Sequence, residues 1–162
     1  MDESDSQPAK RFLSLPEATA RIYHYCAYQE RSHREVKMKL RSFGLTTAQA
    51  DDVLAQLITE GFLNEERFAK AFAGGKFRMK QWGRLKIENE LKAHGLTARC
   101  IAAGLKEIDA TDYRKTAEKV LEKKLCESAG LSSFAQKKKA AAFAIAKGYE
   151  PDLVWQILKA EE

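Results

Sequence analysis

The sequence predicts an all-α protein built as three tandem three-helix repeats stacked into an elongated, curved array. Three observations lead there. A glycine turn recurs at intervals of about 50 residues, as Phe43-Gly44-Leu45-Thr46, His94-Gly95-Leu96-Thr97 and Lys147-Gly148-Tyr149-Glu150. Apolar residues hold fixed offsets around each glycine, as one face of a helix requires. No segment alternates apolar and polar residues with period two beside Gly or Asn-Gly turns, so no strand or hairpin is expected. Small repeats of this kind contact chiefly their neighbours, which is what makes such arrays extended.

Residues 1–12 open with the polar, acidic run Met1 to Lys10 and are expected to form a disordered tail. A secretion signal would be basic and then apolar. The first repeat, residues 13–62, begins with a helix over Pro16 to Gln29 that aligns Ala18, Ile22 and Cys26. Its middle helix carries Val36 and Leu40 ahead of Gly44, and its third helix carries Ala50 and Leu54. The second repeat, residues 63–109, repeats this order: Phe68 and Phe72 over Glu65 to Lys80, then Ile87 and Leu91 before Gly95, then Ile101 and Leu105. The third, residues 110–162, places Tyr113, Ala117, Val120 and Leu121 on a helix from Thr111 to Glu127. Ala140 and Ala144 precede Gly148 where larger residues stood before, and Val154 and Leu158 follow. At each turn the glycine takes a left-handed conformation, the next apolar residue folds back, and Thr46, Thr97 or Glu150 caps the following helix. Pro151 fits a first helical position, where its missing N–H costs nothing.

Composition narrows the function classes. No run approaches the ~20 apolar residues of a membrane-spanning helix. Three distant cysteines, Cys26, Cys100 and Cys126, form no C-x-x-C pair, which points to reduced thiols and a cytoplasmic protein. Gly75-Lys76 lacks the Ser or Thr and the preceding strand of a phosphate loop. His24 and Cys26 point to different helix faces, and His33 and His94 have no partners at ligand or triad spacing. Asp51-Asp52 and Glu65-Glu66 read as first-turn acids. No catalytic constellation, metal site or cofactor site is expected.

Charge is the positive signal. The chain holds 28 Lys and Arg against 23 Asp and Glu, a net +5, and the stretch Lys76 to Arg99 alone carries a surplus as large. Lys76, Arg78, Lys80, Arg84 and Lys86 alternate there with Phe77, Met79 and Trp82, a mixture suited to phosphates, acidic side chains or an apolar groove. Arg31, Arg34, Lys37, Lys39 and Arg41 cluster on the first middle helix, and Lys137 to Lys139 on the last. Aligned on one side of the array, the three clusters would make a basic stripe. The third helices offer Asp51, Asp52 and Asp152 where a DNA-reading helix needs Arg, Lys, Asn or Gln, which argues against operator recognition. Gly74-Gly75 inside a helix costs roughly 1 kcal/mol per glycine relative to alanine, so the pair is expected to permit close approach or a bend at the binding surface, unless the helix ends there.

The run from Gly61 through Phe72, continued by the basic stretch and by Ile87-Glu-Asn-Glu-Leu-Lys-Ala-His-Gly-Leu, resembles the central signature of the RecX regulatory proteins. Arg31-Ser-His-Arg-Glu-Val-Lys-Met-Lys-Leu resembles that family's preceding helix, and the likeness is good from Leu15 to Ile108 and looser beyond. It marks Gly61, Phe62, Asn64, Phe68 and Ala69 as motif positions, with Asn64 in place of the usual Asp; Ala73-Gly74-Gly75 departs from a bulkier run. The resemblance implies a non-enzymatic, cytoplasmic bacterial protein that binds the RecA recombinase filament and inhibits strand exchange, ATP hydrolysis and co-protease activity, by occupying the filament groove or blocking growth. Arg31, Arg34, Lys37, Lys76, Arg78, Lys80, Arg84 and Lys86 are the expected contacts, and a monomer is the expected state. The rival expectation is a protein that binds single- or double-stranded DNA without sequence preference and inhibits by competing for it.

Overall fold

The computed structural model describes residues 12–160; of the predicted tail, all but Phe12 lies outside the described residues. Among these residues there are nine helices and no strand: α1 (Leu15–Tyr28), α2 (His33–Ser42), α3 (Thr47–Thr59), α4 (Glu65–Lys80), α5 (Arg84–Ala93), α6 (Ala98–Leu105), α7 (Ala110–Glu127), α8 (Ser133–Ala146) and α9 (Pro151–Ala160). The protein is all-α, as its periodicity predicts, and no helix among the described residues is long and apolar enough to cross a membrane.

Local chemistry sets the helix ends. Ser14 with Glu17, Ser32 with Glu35, and Thr46 with Gln49 form reciprocal capping boxes that start α1, α2 and α3. Each predicted glycine turn closes a Schellman motif. After α2, the Leu45 N–H reaches the Leu40 carbonyl at 3.3 Å and the Gly44 N–H reaches Arg41 at 3.0 Å. Leu96 and Tyr149 repeat the longer bond to Leu91 and Ala144 at 3.3 and 3.2 Å. Gly44, Gly95 and Gly148 have φ of +94°, +80° and +102°, a region in which a side chain is strained. Glu150 differs from the expected cap: its backbone carbonyl accepts from Val154, while its carboxylate turns to Tyr113 and Arg84.

The chain forms two compact units, residues 1–64 and 65–162. In the first, Ala18, Ile22, Val36, Leu40, Ala50, Val53 and Leu57 build a core under α1, α2 and α3. In the second, both remaining triplets share one core, joined by Phe77, Tyr113 and Tyr149, whose ring centroids lie 6.0 and 5.2 Å apart in sequence. The third helices bury a position that the sequence reading passed over. Nine residues beyond each turn glycine stand Val53, Gly104 and Ile157, all buried, while the predicted Leu54 and Leu105 are half-exposed. At Gly104 the missing side chain lets α6 lie on the backbone of α4: a Cβ there would fall 2.7 Å from the Ala69 carbonyl oxygen.

The glycine pair in α4 behaves otherwise. The helix runs through Gly74-Gly75 to Lys80. The atoms nearest a Cβ at Gly74 would be those of the flexible Arg78 guanidinium, and a Cβ at Gly75 would meet nothing within 4 Å. Among the described residues, no close backbone approach like that at Gly104 requires either glycine. Gly83 does require one, since a Cβ there would collide with the Gly148 carbonyl.

Candidate partner-binding surface

In the second unit the basic stretch divides into buried and exposed parts. Phe77 is a core residue, whereas Met79, Arg78 and Lys80 stand exposed on the last turn of α4. Gln81 then leaves the helix with φ +56°, its carbonyl accepting from Tyr149 Oη at 2.8 Å. This turn presents the Trp82 ring between two cations, with Lys76 Nζ 4.9 Å and Lys86 Nζ 4.5 Å from its centroid.

Arg84 is drawn into the joint between the two triplets. Its guanidinium lies 4.0 Å from the Tyr113 ring centroid and 3.9 Å from Glu150, and its backbone N–H donates to Tyr113 Oη at 3.0 Å. Tyr113 in turn donates to Glu150 at 2.7 Å. Burial drives the Tyr113 phenol pKa up, the Arg84 N–H opposes this, and the Glu150 carboxylate reinforces it. Two backbone bonds complete the joint: Gly83 N–H to the Lys147 carbonyl at 2.8 Å and Leu85 N–H to the Gly148 carbonyl at 2.9 Å.

That joint brings cations together from distant parts of the chain. Lys147 Nζ donates to the Lys80 carbonyl at 3.1 Å. Its pKa is lowered by burial first and then by Lys123 and Lys86. Phe143 lies between Lys124 Nζ at 4.2 Å and Lys147 Nζ at 5.6 Å. A band of lysines and rings thus runs from Lys76 and Trp82 through Lys86 and Lys147 to Phe143 and Lys124, where Glu127 pairs with Lys124 at 2.9 Å and offsets the charge at that end. Crowded ammonium groups repel one another, and an anion laid across them relieves that repulsion. Lys123, Lys124, Phe143 and Lys147 were absent from the sequence-based set. Their only signal is the homology of the third turn to the second, because the contact is made through folding rather than spacing.

In the first unit, the expected contacts take different positions. Arg31 donates to the Tyr25 carbonyl at 3.2 Å and stacks 3.7 Å from that ring's centroid. Lys37 pairs with Asp51 at 3.0 Å, which offsets much of its charge. Arg34 is exposed and lines a shallow groove with Lys37, Met38 and Arg41. Among the motif positions, Phe68 and Ala69 are core residues, and Phe62 packs edge-on to Tyr23 at 4.8 Å. His94 packs on Phe68 and Phe72 at 5.1 and 5.6 Å. Among the described residues, no group of three or more His, Cys, Asp or Glu converges as metal ligands would.

Residues 64–105 match the family model of the second three-helix domain of RecX, and residues 112–158 match that of the third. These segments coincide with α4–α6 and α7–α9. The chain belongs to the RecX family. A regulatory protein RecX of Xanthomonas citri is 29% identical over 152 residues, covering 93% of this chain and 91% of that one. Another, from Streptomyces coelicolor, is 22% identical over 129 residues, covering 80% and 69%. The fold agrees as well. The crystal structure of RecX from Lactobacillus salivarius superposes with a TM-score of 0.79 at 18% identity, over 90% of this chain and 95% of that one. A second RecX crystal structure gives 0.81 at 17% identity, over 90% and 71%. Set against the RecX domain boundaries, the lysine band lies across the second and third domains.

Proposed function

We propose that this RecX-family protein is a non-enzymatic regulator that binds the RecA recombinase filament in the bacterial cytoplasm. Bound as a monomer in the filament groove or at a growing end, it inhibits ATP hydrolysis, strand exchange and co-protease activity. The observation that carries the reading is the lysine–aromatic band joining the second and third domains, in a chain whose relatives are named regulatory proteins. Charge on a fixed backbone steers encounter with an oppositely charged surface, and flanking rings add area that excludes water. Cationic surfaces on both compact units allow several weak contacts with a repeating polymer, which multiply in effect when they act together. Arg31, Arg34, Lys37, Lys76, Arg78, Lys80 and Lys86 are proposed contacts, joined by Lys147. Arg84 contributes chiefly by holding the joint.

The crowding of Lys86, Lys123 and Lys147 equally favours a second reading, non-specific binding of DNA phosphates. Titrating the protein into RecA filaments preformed on single-stranded DNA, with bare-DNA binding measured at the same salt, separates the two. Inhibition of ATP hydrolysis at a small fraction of the RecA concentration, where bare DNA is unoccupied, supports the filament reading. Inhibition only on saturation of the DNA, with a steep loss at raised salt, supports the second.

A further inference from the structure

A groove of about 580 Å³ lies on the first unit, between α1 and the loop and helix that follow, and of its lining residues the filament reading uses Arg31 alone. Its walls are largely the rings of Tyr25, Tyr28 and Phe43, and its rim carries Arg21, Arg31 and Lys39. Among the described residues no carboxylate lines it. The nearby Glu35 is committed to the start of α2, where it accepts from the Ser32 N–H at 3.1 Å. Tyr28 is 77% exposed, a large ring left in water at the mouth.

The ring faces distinguish between anionic occupants. A single strand of nucleic acid binds by stacking successive bases on open aromatic faces. Here the Arg31 guanidinium already lies 3.7 Å from the Tyr25 centroid. Lys39 Nζ is 5.5 Å from Tyr25 and 5.6 Å from Phe43. His24 and Tyr28 are the exposed rings of the groove. What remains is a carbon-walled trough with cations along its edge, the complement of one large apolar side chain flanked by carboxylates.

We infer that this groove binds a short acidic peptide segment of a protein partner, seating an aromatic or long aliphatic side chain against Tyr28 while Arg21, Arg31 and Lys39 pair with its carboxylates. The inference deepens the reading of a protein-binding regulator, and so rests on it. It adds a site on the first unit, separate from the lysine band.

The test is fluorescence polarisation of the full chain with a labelled peptide of a central phenylalanine between aspartates. Controls are the same peptide with serine at the centre and a labelled oligothymidine. The phenylalanine peptide is expected to bind about tenfold more tightly than the serine control, the scale of burying one such ring. Tyr28→Ser and Lys39→Glu, both at exposed positions, are each expected to weaken it several-fold with far-UV circular dichroism unchanged. Two variants keep the test decisive if one of them does not fold. Equal binding of both peptides, or a phenylalanine peptide indifferent to both substitutions, overturns the inference. So does oligothymidine binding that is lost in Tyr28→Ser while neither peptide binds. Filament binding is scored in parallel: if it persists while the peptide fails, the groove assignment alone falls, and if it fails while the peptide binds, the filament reading falls.

Discussion

Replacing Gly83 with alanine tests whether the second and third domains act as one body. Gly83 has an ordinary φ of −75°, so backbone strain is not at issue; the obstacle is space. A Cβ there collides with the Gly148 carbonyl and the Tyr149 nitrogen, which are backbone atoms and cannot swing aside as a side chain would. Relief requires the turn after α8 to withdraw, which breaks the Gly83–Lys147 and Leu85–Gly148 hydrogen bonds of 2.8 and 2.9 Å. Two net hydrogen bonds of about 1 kcal/mol each, with about 1–3 kcal/mol for overpacking, give a loss of about 3–5 kcal/mol. That is a large share of the roughly 5–15 kcal/mol that holds a domain folded. For a unit of this size the melting temperature is expected to fall by at least about 12 °C in scanning calorimetry. Gly75→Ala is the control, because its Cβ meets nothing within 4 Å. A shift smaller than about 3 °C for Gly83→Ala would refute the close approach at the joint and, with it, the placement of Lys147 beside Lys86.

Changing Gly74 and Gly75 together to alanine is expected to raise the stability of the second unit by roughly 1–2 kcal/mol in urea titrations, since both lie inside a continuous helix. If the pair serves a bend at the bound surface, filament affinity falls in the same variant. Tyr113→Phe removes a phenol that accepts from Arg84 and donates to Glu150; leaving those groups in a part-buried site is expected to cost about 1–3 kcal/mol by the same titration. Cys26 is buried, and burial pushes its thiol up to about 11 from 9.0, so the exposed Cys126 is expected to react with maleimide at neutral pH well before it. The sign for stability follows from the raised value. A thiol held neutral in the fold contributes fully below pH 9 and loses that contribution as pH rises through about 11, which far-UV melts of Cys26→Ala against the wild type across that window report as a smaller alkaline loss in the variant.

The helices and their ends were legible because local rules fix them. Ser, Thr and Gly at the caps and apolar residues at i and i+4 act within one or two turns, and the α4 boundaries, Glu65 and Lys80, coincide with expectation. The joint was not legible. Gly83 and Gly104 belong to no motif in the sequence, and their use emerges only when the Gly148 turn and the Ala69 backbone are brought against them. Glu150 looked like a cap because of its position, but Tyr113, 37 residues earlier, donates to its carboxylate. Arg84 looked like a free cation in a basic run for the same reason. Lys147 carried no mark in the sequence of belonging with Lys86, since the two meet only through the Gly83–Gly148 contact. Spacing along the chain located the cationic segment, and folding decided which of its charges remain on the surface.

The most direct test of the account is binding of the double variant Lys86→Glu, Lys147→Glu to RecA filaments preformed on single-stranded DNA, measured by co-sedimentation at fixed salt with the wild type alongside. A folded variant with at least about tenfold weaker filament binding is expected. Wild-type binding by the folded variant would contradict it, and would remove the lysine band from the surface that engages the filament.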